Sequence, residues 1–218
     1  KKMSKLKAVL FDLDGTLRDT TEIVYVAIEE TLEHHDVPKP TREELYPHIH
    51  HHSIVHSVFS PHIDYEPWLA VYREKLGLGW MDAPFHDGTE KLLAELQSEG
   101  YQLAIVTSAE YDRTKEYLRY RGIDGYFSAV AAVREGVRPK PEPDLIHDAL
   151  DQLGYQAHQA IMVGDMMADV EAAHAAGVKC VGITHGFSTR KDLKKAGADY
   201  MIDYLSEVPL VLAAEAAK

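Results

Sequence analysis

Short apolar runs recur along this chain, separated by polar turns and by segments with helical spacing. Six runs have the length and composition of strands: Ala8–Phe11, Leu103–Val106, Ser128–Val133, Ala160–Val163, Lys179–Ile183 and Tyr200–Ile202. Continuous apolar runs without alternation are typical of strands that are covered on both faces. Because helical patterns separate the runs, they predict an α/β fold with a doubly wound parallel sheet and right-handed crossovers.

Between the first two strands the pattern is helical throughout. Residues 20–35 have helical spacing, Thr41-Arg42-Glu43-Glu44 has the form of a capping box, and Asp64 and Gly77 bracket a further helix. We therefore predict two domains. Residues 1–18 and 83–218 form the α/β core domain, and residues 19–82 form a helical domain inserted after the first strand.

The composition and net charge of the chain limit the classes of molecule that it could bind. The chain has 218 residues, 45% of them hydrophobic, and a formal net charge of −12. That charge argues against nucleic-acid and membrane-surface binding, which need clustered Lys and Arg. It leaves open an anionic small substrate, since a bound cation reverses the local sign. The single cysteine, Cys180, excludes a disulfide within the chain and fits a reducing, cytoplasmic location.

Two carboxylates follow the first strand. Asp12 and Asp14 lie two positions apart, so their side chains point the same way at the end of an extended segment. Adjacent carboxylates repel each other unless a cation or a shared proton relieves the repulsion. The pair therefore indicates a metal site, an acid/base pair or both. The alternative is an ordinary Asx turn that closes the strand.

Polar groups also follow the second strand. Thr107 and Ser108 supply hydroxyls, and the helix after them directs N–H groups and its positive dipole end toward this edge, which suits an anion. The alternative is that Ser108 only caps that helix. Farther along, Lys140 lies between Pro139 and Pro141, which restrict the backbone around it. It is a candidate phosphate ligand, or else a solvated loop lysine.

A further pair of carboxylates follows the fourth strand. Asp165 and Asp169 are four positions apart, which predicts a shared face at the start of a helix. The helix dipole alone would favour carboxylates there. In parallel sheets, however, the carboxyl ends of the strands meet at one edge, where Asp12 and Asp14 also lie. Oxygen ligands without matching His or Cys favour Mg²⁺.

These motifs together resemble a known family. Their order along the chain is Asp12-Leu13-Asp14-Gly15-Thr16, Thr107 after an apolar strand, Lys140 in Lys-Pro-x-Pro, and Gly164-Asp165-x-x-x-Asp169. This order resembles the haloacid dehalogenase superfamily, and most closely its phosphoglycolate-phosphatase-like members with an α-helical cap. The resemblance implies a Rossmann-like core and a Mg²⁺-dependent phosphatase that hydrolyses a small phosphate monoester through an aspartyl-phosphate.

The resemblance also implies roles for individual residues. Asp12 would be the nucleophile and Asp14 the general acid/base. The implied Mg²⁺ ligands are the Asp12 carboxylate, the Asp14 backbone carbonyl and Asp165, with Asp169 supporting the site. The implied phosphate ligands are Thr107, the Ser108 backbone and Lys140.

Two other functions stay open at this point. A phosphomutase of the β-phosphoglucomutase type would use the same aspartyl-phosphate, and a non-catalytic phosphate-binding protein would keep the same fold. The expected partner is a small phosphorylated metabolite, with no nucleic acid or membrane, and the expected assembly is a monomer or homodimer.

The inserted segment is rich in histidine. Eight of the 13 histidines lie between residues 34 and 62. His48, His52 and His56 recur every four residues, which predicts one shared helix face. Pairs with this spacing bind Zn²⁺ or Ni²⁺ in some proteins, but a solvated or lid-lining polar face is the favoured interpretation. We hypothesise that these histidines help to set substrate specificity.

Overall fold

The computed structural model describes residues 6–77 and 79–217. The chain divides into two compact units. Of the described residues, 6–18 and 85–217 belong to one unit, and 19–77 and 79–84 belong to the other. The assignment of the second unit as a cap stays a prediction. No helix among the described residues is both long enough and apolar enough to cross a lipid bilayer.

A parallel sheet forms the centre of the first unit. Its strands are β1 Ala8–Phe11, β2 Gln102–Glu110, β3 Phe127–Val133, β4 Ala160–Gly164, β5 Lys179–Ile183 and β6 Tyr200–Ile202. Their order is β3-β2-β1-β4-β5-β6, and every neighbouring pair is parallel. The predicted doubly wound parallel sheet is therefore confirmed.

The strand β1 is the central element of this sheet. All four of its side chains are fully buried, and its last residue, Phe11, lies opposite Ile105 of β2 and Val163 of β4. After β1 the chain builds the β2 side of the sheet, and then returns to build the β4 side. This reversal of strand order opens a crevice at the carboxyl end of β1, where ligands bind in such sheets.

The second unit is helical. Its helices are α1 Thr21–His34, α2 Arg42–Leu45, α3 His52–Phe59, α4 Tyr65–Leu76 and α5 Gly79–Asp82, with a 3₁₀ turn at Tyr46–His48. The predicted capping box is confirmed at the start of α2. The Glu44 backbone N–H donates to the Thr41 hydroxyl over 3.2 Å, and the Thr41 N–H donates to the Glu44 carboxylate over 2.7 Å.

The predicted shared helix face of three histidines is wrong. His48 ends the 3₁₀ turn, whereas His52 and His56 belong to α3. The helix cannot run through this segment because His51 has extended backbone, with φ −157° and ψ 135°, and its ring nitrogen accepts the Ser53 N–H as an N-cap. The specificity hypothesis for these histidines stays a prediction.

The two histidines of α3 are held by partners within the helical unit. His52 Nδ1 is hydrogen-bonded to the Tyr65 hydroxyl at 2.8 Å, and His56 Nε2 to the Ile63 carbonyl at 2.7 Å. One nitrogen of each ring therefore already has a hydrogen-bond partner within the helical unit. Binding of a metal through the same nitrogens would require the bonds to be broken.

The remaining helices belong to the first unit. They are α6 Thr89–Ser98, α7 Tyr111–Tyr120, α8 Asp144–Leu153, α9 Met167–Ala175, α10 Arg190–Ala196 and α11 Val208–Ala216. Leu92, Leu93 and Leu96 of α6 are buried, as their spacing predicts. Burial of each such side chain contributes roughly 1.5–3 kcal/mol to stability.

Candidate active site

The site is built around the carboxyl end of β1. The Asp12 N–H donates to the Val163 carbonyl over 2.9 Å, so Asp12 continues the pairing with β4. Its side chain is buried, with 4% of the residue exposed. The loop that follows carries Asp14 and closes on itself through a bond from the Gly15 N–H to the Arg18 carbonyl. Backbone hydrogen bonds therefore fix the segment that carries Asp12 and Asp14.

Lys140 contacts two of the predicted carboxylates directly. Its Nζ lies 2.7 Å from Asp12 Oδ1, 2.5 Å from Asp169 Oδ1 and 3.1 Å from the Val106 carbonyl. These three acceptors match the three N–H donors of an ammonium group. The alternative of a solvated loop lysine is wrong, because the residue is 4% exposed.

The two carboxylates after β4 lie in the same site but belong to different structural elements. Asp165 lies between β4 and α9, while Asp169 lies in the first turn of α9, so the predicted shared helix face is wrong. Asp165 accepts from the Thr16 hydroxyl and from the Phe187 N–H, each at 2.7 Å. The connection from β4 into α9, rather than helix periodicity, brings this pair of carboxylates together.

Both oxygens of Asp169 are engaged by donors. Oδ1 accepts from Lys140, and Oδ2 accepts from the Met166 N–H over 2.9 Å. Asp169 therefore fixes the lysine and the start of α9 at once. This arrangement fits a supporting role better than direct coordination of a metal.

Asp12 and Asp165, supported by Asp169, form a candidate metal centre. Asp12, Asp165 and Asp169 each offer an oxygen, and these oxygens all lie within 4.8 Å of one another. Burial raises the pKa of Asp12 well above its usual range, and Asp169 and Asp165 raise it further, while Lys140 opposes the shift. Burial and then Asp169 raise the pKa of Asp165 to about 7.

The charge of this cluster fits a divalent cation. For Lys140, burial lowers the pKa, but Asp12 and Asp169 outweigh that effect and raise it, so the ammonium stays charged. When all three carboxylates are ionised, this single ammonium leaves two negative charges uncompensated. Buried uncompensated charge is costly, and a hard divalent ion such as Mg²⁺ would remove that cost with ligands it prefers.

Two glycines make room for the Asp165 carboxylate. A Cβ added at Gly15 or at Gly186 would overlap its carboxyl group. Gly15 also has a φ of 87°, which side-chain-bearing residues rarely adopt. The loops after β1 and β5 can therefore approach this carboxylate closely only because they carry glycine here.

The hydroxyl residues of β2 lie where the strand becomes irregular. Pairing with β3 shifts register between Thr107 and Glu110, and Thr107 Oγ1 accepts the Ala109 N–H over 3.2 Å. The alternative of a Ser108 helix cap is wrong, because Glu110 occupies that position. Instead, Ser108 Oγ accepts the Lys140 N–H over 3.2 Å and ties the lysine loop to β2.

Sequence reasoning missed several residues that hold the site. Arg18 Nε donates to Asp14 Oδ1 over 2.8 Å, so this carboxylate has a charged partner. His185 Nε2 lies 2.9 Å from the Thr16 carbonyl, and its ring stacks on His86 with centroids 3.7 Å apart. Only the short spacing of Asp14 and Arg18 could have signalled such a contact, since the other pairs are remote in sequence.

A family model described as haloacid dehalogenase-like hydrolase matches residues 9–183 of the chain. The chain belongs to this family. The predicted family, the α/β fold class and the class of enzyme, a phosphatase of this family, are confirmed.

Similar proteins include one that is named a pyrophosphatase and two whose structures have been solved. Pyrophosphatase PpaX of Bacillus velezensis is 32% identical over 94% of this chain and 95% of its own length. A haloacid dehalogenase-like hydrolase of Streptococcus pneumoniae is 26% identical, with a TM-score of 0.82 over 94% of this chain and 98% of that one. CbbY of Rhodobacter sphaeroides, solved with phosphate, is 26% identical, with a TM-score of 0.79 over 93% and 96% of the two chains.

Proposed function

We propose that this family member is a Mg²⁺-dependent phosphatase that hydrolyses a small phosphate monoester through an aspartyl-phosphate on Asp12. The observation that carries the proposal is the convergence of Asp12, Lys140, Asp165 and Asp169 at the carboxyl end of β1. Such a cluster suits transfer of a phosphoryl group, where catalysis consists mainly of positioning and charge neutralisation.

The reaction proceeds in two displacements. A carboxylate oxygen of Asp12 forms a bond to phosphorus while the ester P–O bond breaks, and Asp14 donates a proton to the leaving oxygen. Asp14 then accepts a proton from water as the water oxygen attacks the phosphorus. The Asp12–phosphate bond breaks, and inorganic phosphate leaves with Asp12 restored.

The other residues of the site hold the phosphoryl group and a metal. Mg²⁺ would be bound by the Asp12 carboxylate, the Asp14 backbone carbonyl and Asp165, and it would neutralise charge that develops on the phosphoryl oxygens. Asp169 keeps Lys140 beside Asp12. The phosphoryl oxygens would be held by Lys140, the Thr107 hydroxyl and the Ser108 backbone N–H.

Pyrophosphate is a second candidate substrate. The relative from Bacillus velezensis is named a pyrophosphatase and matches over nearly the whole chain. The same residues would cleave a phosphoanhydride, and proton donation by Asp14 would matter less because phosphate is a better leaving group than an alkoxide.

The function is tested by release of inorganic phosphate. We expect 4-nitrophenyl phosphate to be hydrolysed with Mg²⁺ and not with EDTA, and a panel of sugar phosphates, phosphoglycolate and pyrophosphate to be ranked by kcat/KM. Conversion of a sugar phosphate to its isomer without phosphate release would instead identify a phosphomutase. No turnover of any of these compounds would contradict the proposal.

Binding of Mg²⁺ should depend on pH through Asp165. Its pKa is about 7 in the folded protein, against an ordinary value of 3.8. The folded state therefore holds a proton that the unfolded state has lost between these values, and the stability of the metal-free protein falls as pH rises through them. Because the metal requires the ionised carboxylate, its affinity should fall by up to about tenfold per pH unit below pH 7.

Thermal unfolding with and without Mg²⁺ measures this dependence. We expect Mg²⁺ to raise the melting temperature more at pH 8 than at pH 6. Asp165→Asn is the control, and it should abolish most of the Mg²⁺ effect at both values. Equal Mg²⁺ affinities at pH 6 and pH 8 for the unsubstituted protein would contradict the assignment of Asp165 as a ligand.

A further inference from the structure

Arg18 is a charged side chain that lies buried beside the proposed general acid. It has no exposed surface, and its Nε donates to Asp14 Oδ1 over 2.8 Å. Among residues 6–77 and 79–217, no other side chain forms a hydrogen bond or ion pair with the Asp14 carboxylate. The orientation of this carboxylate therefore depends on Arg18.

Backbone hydrogen bonds also hold Arg18 in place. The Arg18 N–H donates to the Leu13 carbonyl over 3.1 Å, and its carbonyl accepts the Gly15 N–H over 2.8 Å. On its other side Arg18 forms a bridge with Phe85. Arg18 is thus the residue that closes the loop on which Asp14 is carried.

An aromatic ring fixes the guanidinium group. The Arg18 guanidinium carbon lies 3.8 Å from the centroid of the Tyr117 ring, and Tyr117 has no exposed surface. Burial raises the pKa of Tyr117, so its hydroxyl stays neutral and adds no charge. The guanidinium therefore has a rigid platform below it and the Asp14 carboxylate at its edge.

Stability alone does not account for an arginine here. Burial of a guanidinium is costly, and well-packed apolar residues often replace buried ion pairs at no loss of stability. Arginine does offer a planar set of donors that never deprotonate and accept nothing. It can therefore orient a carboxylate without competing for the proton that the carboxylate transfers.

We propose that Arg18 is a positioning residue that orients the Asp14 carboxylate for proton transfer to the leaving oxygen. The proposal rests on the function of Asp14 proposed above. Because the Arg18 Nε–H donates to Asp14 Oδ1, the other oxygen of Asp14 is the one that carries the proton. This proton moves to the ester oxygen as the P–O bond breaks.

The dependence of rate on the leaving group tests this role. A general acid accelerates release of a basic leaving oxygen, and 4-nitrophenolate leaves with little need of a proton. We expect Arg18→Met to lower kcat/KM for phenyl phosphate by about tenfold to 100-fold more than kcat/KM for 4-nitrophenyl phosphate. The comparison uses kcat/KM because it reports the steps up to departure of the leaving group, whereas hydrolysis of the aspartyl-phosphate is common to both substrates.

The ratio of the rates for phenyl phosphate and 4-nitrophenyl phosphate does not depend on the fraction of the protein that is folded. Both substrates are measured on the same preparation, so any unfolded fraction of Arg18→Met cancels in the ratio. Arg18→Lys keeps the charge without the planar fork and should give an intermediate ratio. Arg119→Met is a matched control, because Arg119 lies at an exposed position on α7. Its ratio should equal that of the unsubstituted protein.

Substitution of Asp14 separates failure of this inference from failure of the proposed function. Asp14→Asn should show the full change in the ratio, and adding Arg18→Met to it should change the ratio no further. If Asp14→Asn shifts the ratio and Arg18→Met does not, the positioning role of Arg18 is wrong. If neither substitution shifts the ratio, the acid role of Asp14 is wrong as well.

Discussion

Asp12→Asn should abolish turnover of 4-nitrophenyl phosphate, with a loss of about 10⁴-fold or more. An amide cannot form the acyl phosphate, although it still accepts the hydrogen bond that Lys140 donates to Asp12 Oδ1 over 2.7 Å. The substitution keeps the volume of the side chain, so we expect the protein to fold. Activity is measured at saturating Mg²⁺, because the substitution also weakens a proposed metal ligand.

A direct test looks for the covalent intermediate. Single turnovers quenched in acid should yield a peptide containing Asp12 with the added mass of one phosphoryl group. The same peptide from Asp12→Asn should carry no such addition. Asp112→Asn, at an exposed position on α7, serves as the matched control and should retain full activity. Full activity in Asp12→Asn would contradict a mechanism through an aspartyl-phosphate on Asp12.

Lys140→Met should lower the free energy of unfolding at pH 8 by about 3–5 kcal/mol and reduce kcat severely. The lysine is the ammonium that pairs with Asp12 and Asp169, and all three side chains are almost completely buried. Removing it leaves buried carboxylates without a counter-charge. The loss of stability should shrink toward pH 5, because burial raises the pKa of Asp12 and the substitution removes the ammonium that opposes this shift.

Denaturant unfolding at the two pH values measures this effect. Lys179→Met is the matched control, since Lys179 forms a 2.7 Å ion pair with Glu215 in which the lysine is half-exposed. An ion pair of this kind contributes at most about 1 kcal/mol. A Lys140→Met protein as stable as the unsubstituted one at pH 8 would show that the carboxylate cluster does not depend on this ammonium.

Much of the fold could be predicted because its signals are local. Each of the six strands coincides with an apolar run, and the capping box at Thr41 depends on residues three positions apart. The limits of β2 were harder to predict. The strand extends to Glu110, past the apolar run, because pairing with β3 continues after a shift in register.

Errors arose where periodicity was extended across a break. The spacing of His48 and His52 suggested one helix, but an extended residue at His51 divides the segment. The spacing of Asp165 and Asp169 likewise suggested a shared helix face, although the helix begins only at Met167. In both cases a local backbone conformation, fixed by a capping contact, overrides an interval that is only compatible with a helix.

The sequence by itself determined the parallel α/β sheet, the helical insertion and the residue types gathered at the strand ends. These features depend on apolar periodicity and on strand-end motifs, which each involve only a few neighbouring residues. Only the tertiary structure decided which of these groups touch. Lys140 meets Asp12 across 128 positions and Thr16 meets Asp165 across 149, since the order of the strands places β1 between β2 and β4. It also revealed that the Asp14 carboxylate is paired with Arg18. The guanidinium of Arg18 stacks on Tyr117, a residue that no local pattern connects to the loop after β1.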